Sequence, residues 1–353
     1  MKSGRWLVVA LGVTLGVAGV SVPGDAAELV IQTWGSAVTE GETKAFYDGF
    51  EKATGAKVVK VVATADAAAK LEAQIRSGNI EWDIISGFSA PRFLAFSKRG
   101  WLEPVDYSKV PGAKALVPEA RWANGVGTEV DTIVLAYNAR TLAPDKRPQT
   151  WADFFNAEKF PGPRMMNNWG TAWGNVTVAL LADGVARDKL IPLDLDRAFR
   201  TLDKIKPHVR VWFKSGAQQI QAFADGEVVM CACWDGRMQQ ARQQKVPIEF
   251  SWTQAVQFMT YWGIVKGSKN KELAHRFLDY TTDPKRQAVF TEYAAYSTSH
   301  PQAVDYLPEA DRKNTSMWPA NRARTVSLTE KEMDWIVENL NTINERWNAW
   351  ISQ

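Results

Sequence analysis

The chain has 353 residues, with 42 Lys and Arg against 39 Asp and Glu for a formal charge of +3, and 46% of its residues are hydrophobic. That near balance, with both signs interspersed, argues against a nucleic acid or an anionic membrane as partner. The length exceeds what one hydrophobic core usually holds, so two domains is the natural expectation.

Lys2 and Arg5 form a basic start, and Leu7 to Val20 runs without a charge. Val22-Pro23-Gly24-Asp25-Ala26-Ala27 then offers small residues at a cleavage point. This is the pattern of a secretory signal peptide, residues 1–26, cut after Ala26. A membrane anchor is the alternative, but the apolar stretch is short for a span of about 20 residues and holds Gly12, Gly16 and Gly19. No cysteine stands at the cleavage point to carry a lipid. Cleavage leaves 327 residues (353 less 26) with 40 basic and 38 acidic side chains, a net charge of +2. Nothing after residue 27 is long or apolar enough to span a bilayer, so an exported chain that is not membrane-embedded is expected.

The mature chain opens with a strand, Glu28 to Thr33, that runs into Trp34-Gly35-Ser36. Thr39-Glu40-Gly41-Glu42 has capping-box spacing, and Phe46 and Phe50 give the next helix an apolar stripe that Gly55 stops. Lys57 to Ala63 is a β-branched strand, and Asp66 opens a helix that turns Leu71 and Ile75 inward and ends near Gly78. Trp82-Asp83-Ile84-Ile85-Ser86 is a short buried strand, followed by Gly87-Phe88-Ser89 and a helix over Pro91 to Arg99. Such alternation predicts a parallel α/β sheet.

The pattern breaks at Thr128 to Asn138, a long extended run. A second α/β series begins at Trp151, with helices over Thr171 to Ala182 and Asp194 to Ile205, then a strand at Val209 to Phe213. A helix over Ala217 to Ala224 leads to a buried strand, Val228 to Trp234. A second extended run, Gln257 to Val265, precedes a helix over Lys271 to Thr281. Two long strands dividing two α/β series predict two lobes joined by crossover segments, which is hinge geometry. The chain closes on a helix from Thr329 to Ile351, with Met333, Ile336, Leu340, Ile343, Trp347 and Trp350 on one face, read as packing on its own lobe.

The two cysteines, Cys231 and Cys233, point the same way along the second-series strand. In a regular strand they stand about 6.5–7 Å apart, too far for a disulfide. They read as free, buried, small hydrophobes, and a bridge would require a bulge.

Several stretches recur in a recognisable order. They are Ala45-Phe46 through Phe50 to Val58, Trp82-Asp83-Ile84-Ile85, Tyr137-Asn138, and Thr150-Trp151-Ala152-Asp153-Phe154-Phe155. Gly226-Glu227-Val228 leading to Trp234-Asp235-Gly236, then Asn270 to Asp279, then Tyr296 complete the order. In sum this resembles the periplasmic solute-binding proteins of ABC importers, specifically the spermidine/putrescine-binding branch. The resemblance implies an α/β, two-lobed periplasmic-binding-protein fold of type II, its lobes joined by two crossover strands around a ligand cleft. Residues 27–131 and 262–303 would form the first lobe, and 132–261 and 304–353 the second.

The resemblance further implies that Trp34 is a first-lobe wall, Trp234 a second-lobe wall and Tyr296 a cleft tyrosine. Relatives hold the ammonium ends of a di- or triamine with carboxylates between aromatic walls. An ammonium over an aromatic face gains about 0.5–2 kcal/mol, and a buried charge needs a partner. Those carboxylates do not carry over: Met165 to Trp173 stands where relatives place an Asp and a Glu, and Met259-Thr260-Tyr261 where they place Trp-x-Asp. Phe88 and Ala90 stand where a Ser and a Tyr are expected. Spermidine and putrescine are therefore expected to bind weakly.

The candidate ligand-binding residues are Trp34, Phe88, Trp169, Trp234, Asp235, Tyr261 and Tyr296, with Asp131 and Asp235 the candidates to meet a cation. For any one of the 16 tryptophans the competing reading is core packing. The helix starts at Asn168-Trp169-Gly170-Thr171 and Gly87-Phe88-Ser89, with Arg92, Arg164 and Arg237 near them, would suit an acid group, which makes a zwitterion a further reading.

A secreted carbohydrate-active hydrolase is the rival from another class. No nucleophile elbow, zinc-protease motif or paired Cys and His signature supports it, and the three histidines are scattered. A metal-ion or anion binder on the same fold is the other alternative, but Tyr293-Ala294-Ala295-Tyr296 is not the adjacent tyrosine pair that ferric iron favours. The expected function is a monomeric periplasmic substrate-binding component, without cofactor, metal or catalysis. It would capture a small nitrogen-containing solute and deliver it to an ABC importer permease.

Overall fold

The computed structural model describes residues 27–63, 66–168 and 172–353. The segment read as a signal peptide, and Trp169, lie outside the described residues. In chain order the strands are β1 (Glu28–Thr33), β2 (Lys57–Val62), β3 (Ile84–Ser89), β4 (Arg121–Trp122), β5 (Gly125–Asn138) and β6 (Arg164–Asn167). They continue with β7 (Val209–Phe213), β8 (Met230–Trp234), β9 (Ile248–Ile264), β10 (Ser297–Thr298) and β11 (Val326–Ser327).

All join one sheet, whose main path is β2-β1-β3-β9-β5-β8-β6-β7. β2, β1 and β3 form one parallel block, and β8, β6 and β7 a second. Between the blocks run β9 and β5, antiparallel to each other and to their block neighbours. These are the two extended runs of the sequence. β9 begins well before its apolar stretch, because Ile248 to Ser251 pair with the end of β5.

The helices are α1 (Ser36–Glu42), α2 (Asp48–Thr54), α3 (Ala67–Ser77), α4 (Ala90–Lys98), α5 (Trp151–Phe155) and α6 (Ala172–Ala182). α7 (Leu195–Ile205), α8 (Gly216–Ala224), α9 (Asp235–Gln243), α10 (Lys271–Tyr280), α11 (Pro284–Ala294) and a C-terminal helix, Glu330–Ile351, follow. Their ends obey local chemistry. Gly55 and Gly78 close α2 and α3 in the left-handed region, and Thr150 with Asp153, then Thr329 with Glu332, form complete capping boxes. Among the described residues no helix is long and apolar enough to cross a membrane.

Three expectations are corrected. The capping box at Thr39 does not form: α1 starts at Ser36, and Thr39 sits inside it, accepting the Gly35 N–H at 2.8 Å. Glu42 turns inward instead, because three hydroxyls wait for it there. Cys231 and Cys233 are not free: they form a disulfide, with Cα atoms 5.3 Å apart. β8 is drawn in at this point below regular strand spacing, which brings the pair into bridging range.

The C-terminal helix does not keep to one side. Trp347 and Trp350 pack edge-on against Trp212 of β7, each at 5.7 Å, while Lys98 of α4 pairs with Asp334 at 3.0 Å and Glu338 at 3.3 Å. Its apolar face covers the second block and its charged face reaches the first.

Candidate functional site

β1 ends at Thr33, just before Trp34, β3 at Ser89, β6 at Asn167 and β8 at Trp234, all where the two parallel blocks face each other. Ligands of α/β sheets bind at such carboxyl ends, where strand neighbours change. β5 carries the change. Its edge away from β9 pairs with β10 at Glu129 and Val130, and with β8 from Ile133 onward. Among the described residues Asp131 and Thr132 have no strand on that edge, and Asp235 Oδ1 accepts the Thr132 N–H at 3.0 Å.

On the first-block side, half-buried Trp34 donates its Nε1–H to the Ser86 carbonyl at 2.8 Å and meets Phe88 edge-on at 5.2 Å. The indole lies on Gly87, where a Cβ would come within 2.5 Å of the ring and where φ is +67°. Both facts require glycine. Beneath, the buried Glu42 carboxyl accepts from Thr33 Oγ1 at 2.5 Å, Tyr47 OH at 2.9 Å and Ser86 Oγ at 3.1 Å. Burial outweighs those donors and pushes this carboxyl up to about 7.

On the second-block side, α9 begins with Asp235, 1% exposed. Burial raises its carboxyl to about 8, against the opposing pull of the Thr132 and Gly236 N–H groups. The Tyr296 ring lies on Gly236, where a Cβ would sit 2.5 Å from Cε1. Ala295, at φ +63°, turns the chain after α11 to aim that ring, a conformation costing a non-glycine residue roughly 1–2 kcal/mol. Gln240 of α9 donates to the Ala294 carbonyl at 3.2 Å, and the Arg237 guanidinium stands 5.9 Å from the Tyr296 ring. The same C-terminal end of α11 also rests on α1, where Gly41 meets Ala294 and Phe290, and so the turn to Tyr296 lies between the two sides.

Glu129 and Asp131, two residues apart on β5, face the same groups and are 7% and 9% exposed. Glu129 accepts only from Thr260 Oγ1, at 3.3 Å, and Asp131 takes no hydrogen bond among the described residues. Arg237 lies close enough to act on both but comes within 4.0 Å of neither. Thr132 Oγ1, Gln219 Nε2 and Arg237 Nε are buried without a partner. Most buried polar groups are paired, so these unpaired atoms stand out among the described residues.

Trp234, Asp235 and Tyr296 thus lie around the β5 changeover, while Trp34 stands on the first-block side over Gly87. Trp234 meets Phe213 edge-on at 5.6 Å, and its N–H is held by Gln219 Oε1 at 3.1 Å. Phe88 and Tyr261 are not brought there. Phe88, 1% exposed, is packed between Trp34 and Phe96, and Tyr261, 1% exposed, stacks on Trp122 at 3.8 Å with its hydroxyl on the Glu119 carbonyl. Of the three arginines, Arg92 is exposed and Arg164 donates to the Phe154, Asn156, Phe160 and Gly162 carbonyls. Only Arg237 reaches the cluster.

Reading the sequence missed Glu42, Glu129 and Gln219. The signal available for Glu129 was its spacing from Asp131, two acids on one face of an otherwise apolar strand.

The family model described as bacterial extracellular solute-binding protein matches residues 45–323. The chain is 32% identical to the gamma-aminobutyric acid-binding protein of Pseudomonas aeruginosa, over 92% of this chain and 91% of that one. It is 26% identical to the putrescine-binding periplasmic protein PotF of Escherichia coli, covering 83% and 84%. Among solved structures, the Atu4243-GABA receptor superposes with a TM-score of 0.84 at 30% identity, covering 92% of this chain and 97% of that one. The chain therefore belongs to the bacterial extracellular solute-binding proteins, the substrate-binding components of ABC importers, and has their two-lobed α/β fold.

Proposed function

We propose that this chain captures a short zwitterionic amino compound in the periplasm, closes two lobes around it and hands it unchanged to a membrane permease. One observation carries this reading: Glu129 and Asp131, buried on β5 with one long hydrogen bond at Glu129 and none at Asp131 among the described residues, face Arg237 across the strand changeover, whose Nη1 is held by Gln240 Oε1 at 2.9 Å while its buried Nε has no partner. An ammonium end is drawn to Glu129 and Asp131, and an acid end to Arg237 and the free Gln219 Nε2–H. Trp34, Trp234 and Tyr296 supply the aromatic walls, and Asp235 holds α9 against β5. A second ammonium near Arg237 would be repelled, which disfavours putrescine and spermidine. The relatives at 30% identity or more that are named for gamma-aminobutyrate support the same class.

The lobes divide where β5 changes neighbours, with 27–131 and 262–303 on one side and 132–261 and 304–353 on the other. The protein acts as a monomer and needs neither cofactor nor metal. Membership of a solute-binding family supports binding without catalysis, and the ring nitrogens of His275 and the Nδ1 of His300 are taken up by backbone groups.

Calorimetry and thermal shift of the mature protein test the reading with gamma-aminobutyrate, putrescine and spermidine. A rise in Tm with gamma-aminobutyrate and little with the polyamines is expected. Tighter binding of a polyamine, or product accumulating with time, would refute it.

A further inference from the structure

We propose that Glu129 and Asp131 share a proton in the ligand-free protein and release it to solvent when a ligand ammonium docks against them, so that capture exchanges a proton for a cation. This rests on the amine-binding reading above and names the pair that makes the site selective for a positive end.

The argument begins with charge balance. The groups facing the pair are Glu42 from α1, Asp235 and Arg237 from α9, and Tyr296 from the turn after α11. Four carboxylates against one guanidinium would leave a net charge of −3 in a region shielded from water. Buried charge of that kind is not tolerated without partners, and protons are the cheapest partners available.

The placement of those protons follows from the hydrogen bonds. Glu42 has three hydroxyl donors, and Asp235 has backbone N–H groups, both of which help an anion. Glu129 has one long contact and Asp131 none. They also stand on one face of one strand, about 6.5–7 Å apart by strand geometry, where ionising one disfavours ionising the other. The directions agree. Burial first, then Asp131 and Glu42, push the Glu129 carboxyl far above its ordinary range, and burial with Asp235 pushes Asp131 up. An arriving ammonium supplies the missing charge, and the proton leaves.

Infrared spectroscopy of the ligand-free protein at pH 7 should show the carbonyl stretch of protonated carboxyl groups. Part of that signal should vanish in Glu129→Gln and in Asp131→Asn, and part should vanish from the wild type on saturation with gamma-aminobutyrate. A spectrum unchanged in whichever of the two variants folds overturns the shared proton without any reference to a ligand. Calorimetry of gamma-aminobutyrate or putrescine in phosphate and in Tris should report release of about one proton, with affinity rising about tenfold per pH unit from pH 6 to 7. Asp131→Asn should flatten that slope. Binding with no buffer or pH dependence overturns the exchange while leaving the amine reading intact. If neither probe binds at any pH, the amine reading and the exchange fall together, and the infrared result stands alone for the proton.

Discussion

The two sides of the cleft bury charge in opposite ways. Beside Trp34, Glu42 is enclosed by three hydroxyl donors, and the indole N–H above it is spent on the Ser86 carbonyl. Beside Tyr296, Asp131 has no donor and Glu129 has one long contact. Thr132, Gln219 and Arg237 each bury an atom without a partner there. A satisfied buried hydrogen bond contributes about 1 kcal/mol, and a stranded polar atom costs about 1–3 kcal/mol. The first side is therefore satisfied within the fold, and the second carries stranded polar atoms at a cost in stability, which fits the ligand site proposed above.

The largest effect that could break this contrast is Glu42→Ala. It strands Thr33, Tyr47 and Ser86 together and should cost about 3 kcal/mol in urea unfolding. Glu129→Gln or Asp131→Asn should leave stability unchanged or raise it. Equal losses on both sides would erase the distinction.

Trp234→Ala should weaken gamma-aminobutyrate binding by about 2–3 kcal/mol, the scale of a buried aromatic anchor, with the fold retained. The variant should also stay extended in small-angle scattering at ligand concentrations that compact the wild type. Equal compaction at matched dose would count against a clamp that uses both lobes.

The pH dependence follows from the carboxyls near 7 and 8. Glu42 and Asp235 hold a proton to a higher pH in the native chain than in the unfolded chain, which has lost both above about pH 4.5. Between pH 5 and pH 8 the native state therefore binds more protons, and its stability must fall as pH rises. A Tm that falls across that window is expected without ligand. Saturating amine should reduce the loss. A Tm that rises toward pH 8 would reverse the sign.

The smallest effect sharpens the contrast at its two glycines. Gly236→Ala pushes a methyl toward the Tyr296 ring and should weaken binding by about 1 kcal/mol with little change in unfolding. Gly87→Ala adds left-handed strain to the clash with Trp34 and should lower stability by about 1–2 kcal/mol as well.

Much of the fold was legible because its signals are local. The alternation of strands and helices, the two long extended runs and the glycine stops after α2 and α3 all stand where the periodicity put them. The order of short motifs led to the solute-binding family. Where reading failed, a local pattern met a competing partner from elsewhere. Thr39 and Glu42 have capping-box spacing, but Thr33 and Ser86 offered the acid a better place. Cys231 and Cys233 have strand spacing, but the strand contracts. Phe88 and Tyr261 have the composition of cleft walls and are core residues.

The sequence alone determined the architecture, because backbone periodicity and strand ends depend on neighbours a few residues away. Only the tertiary structure decided which acids hold the fold and which are left to wait. Glu42 and Glu129 look alike in the chain, each an acid beside a threonine and two residues from another acid. Their surroundings come from distant segments: Thr33 and Ser86 for one, Thr260, 131 residues away, and the Tyr296–Arg237 pair for the other. A carboxylate's energy is set by the donors and dielectric around it, and those are assembled only when the strands meet.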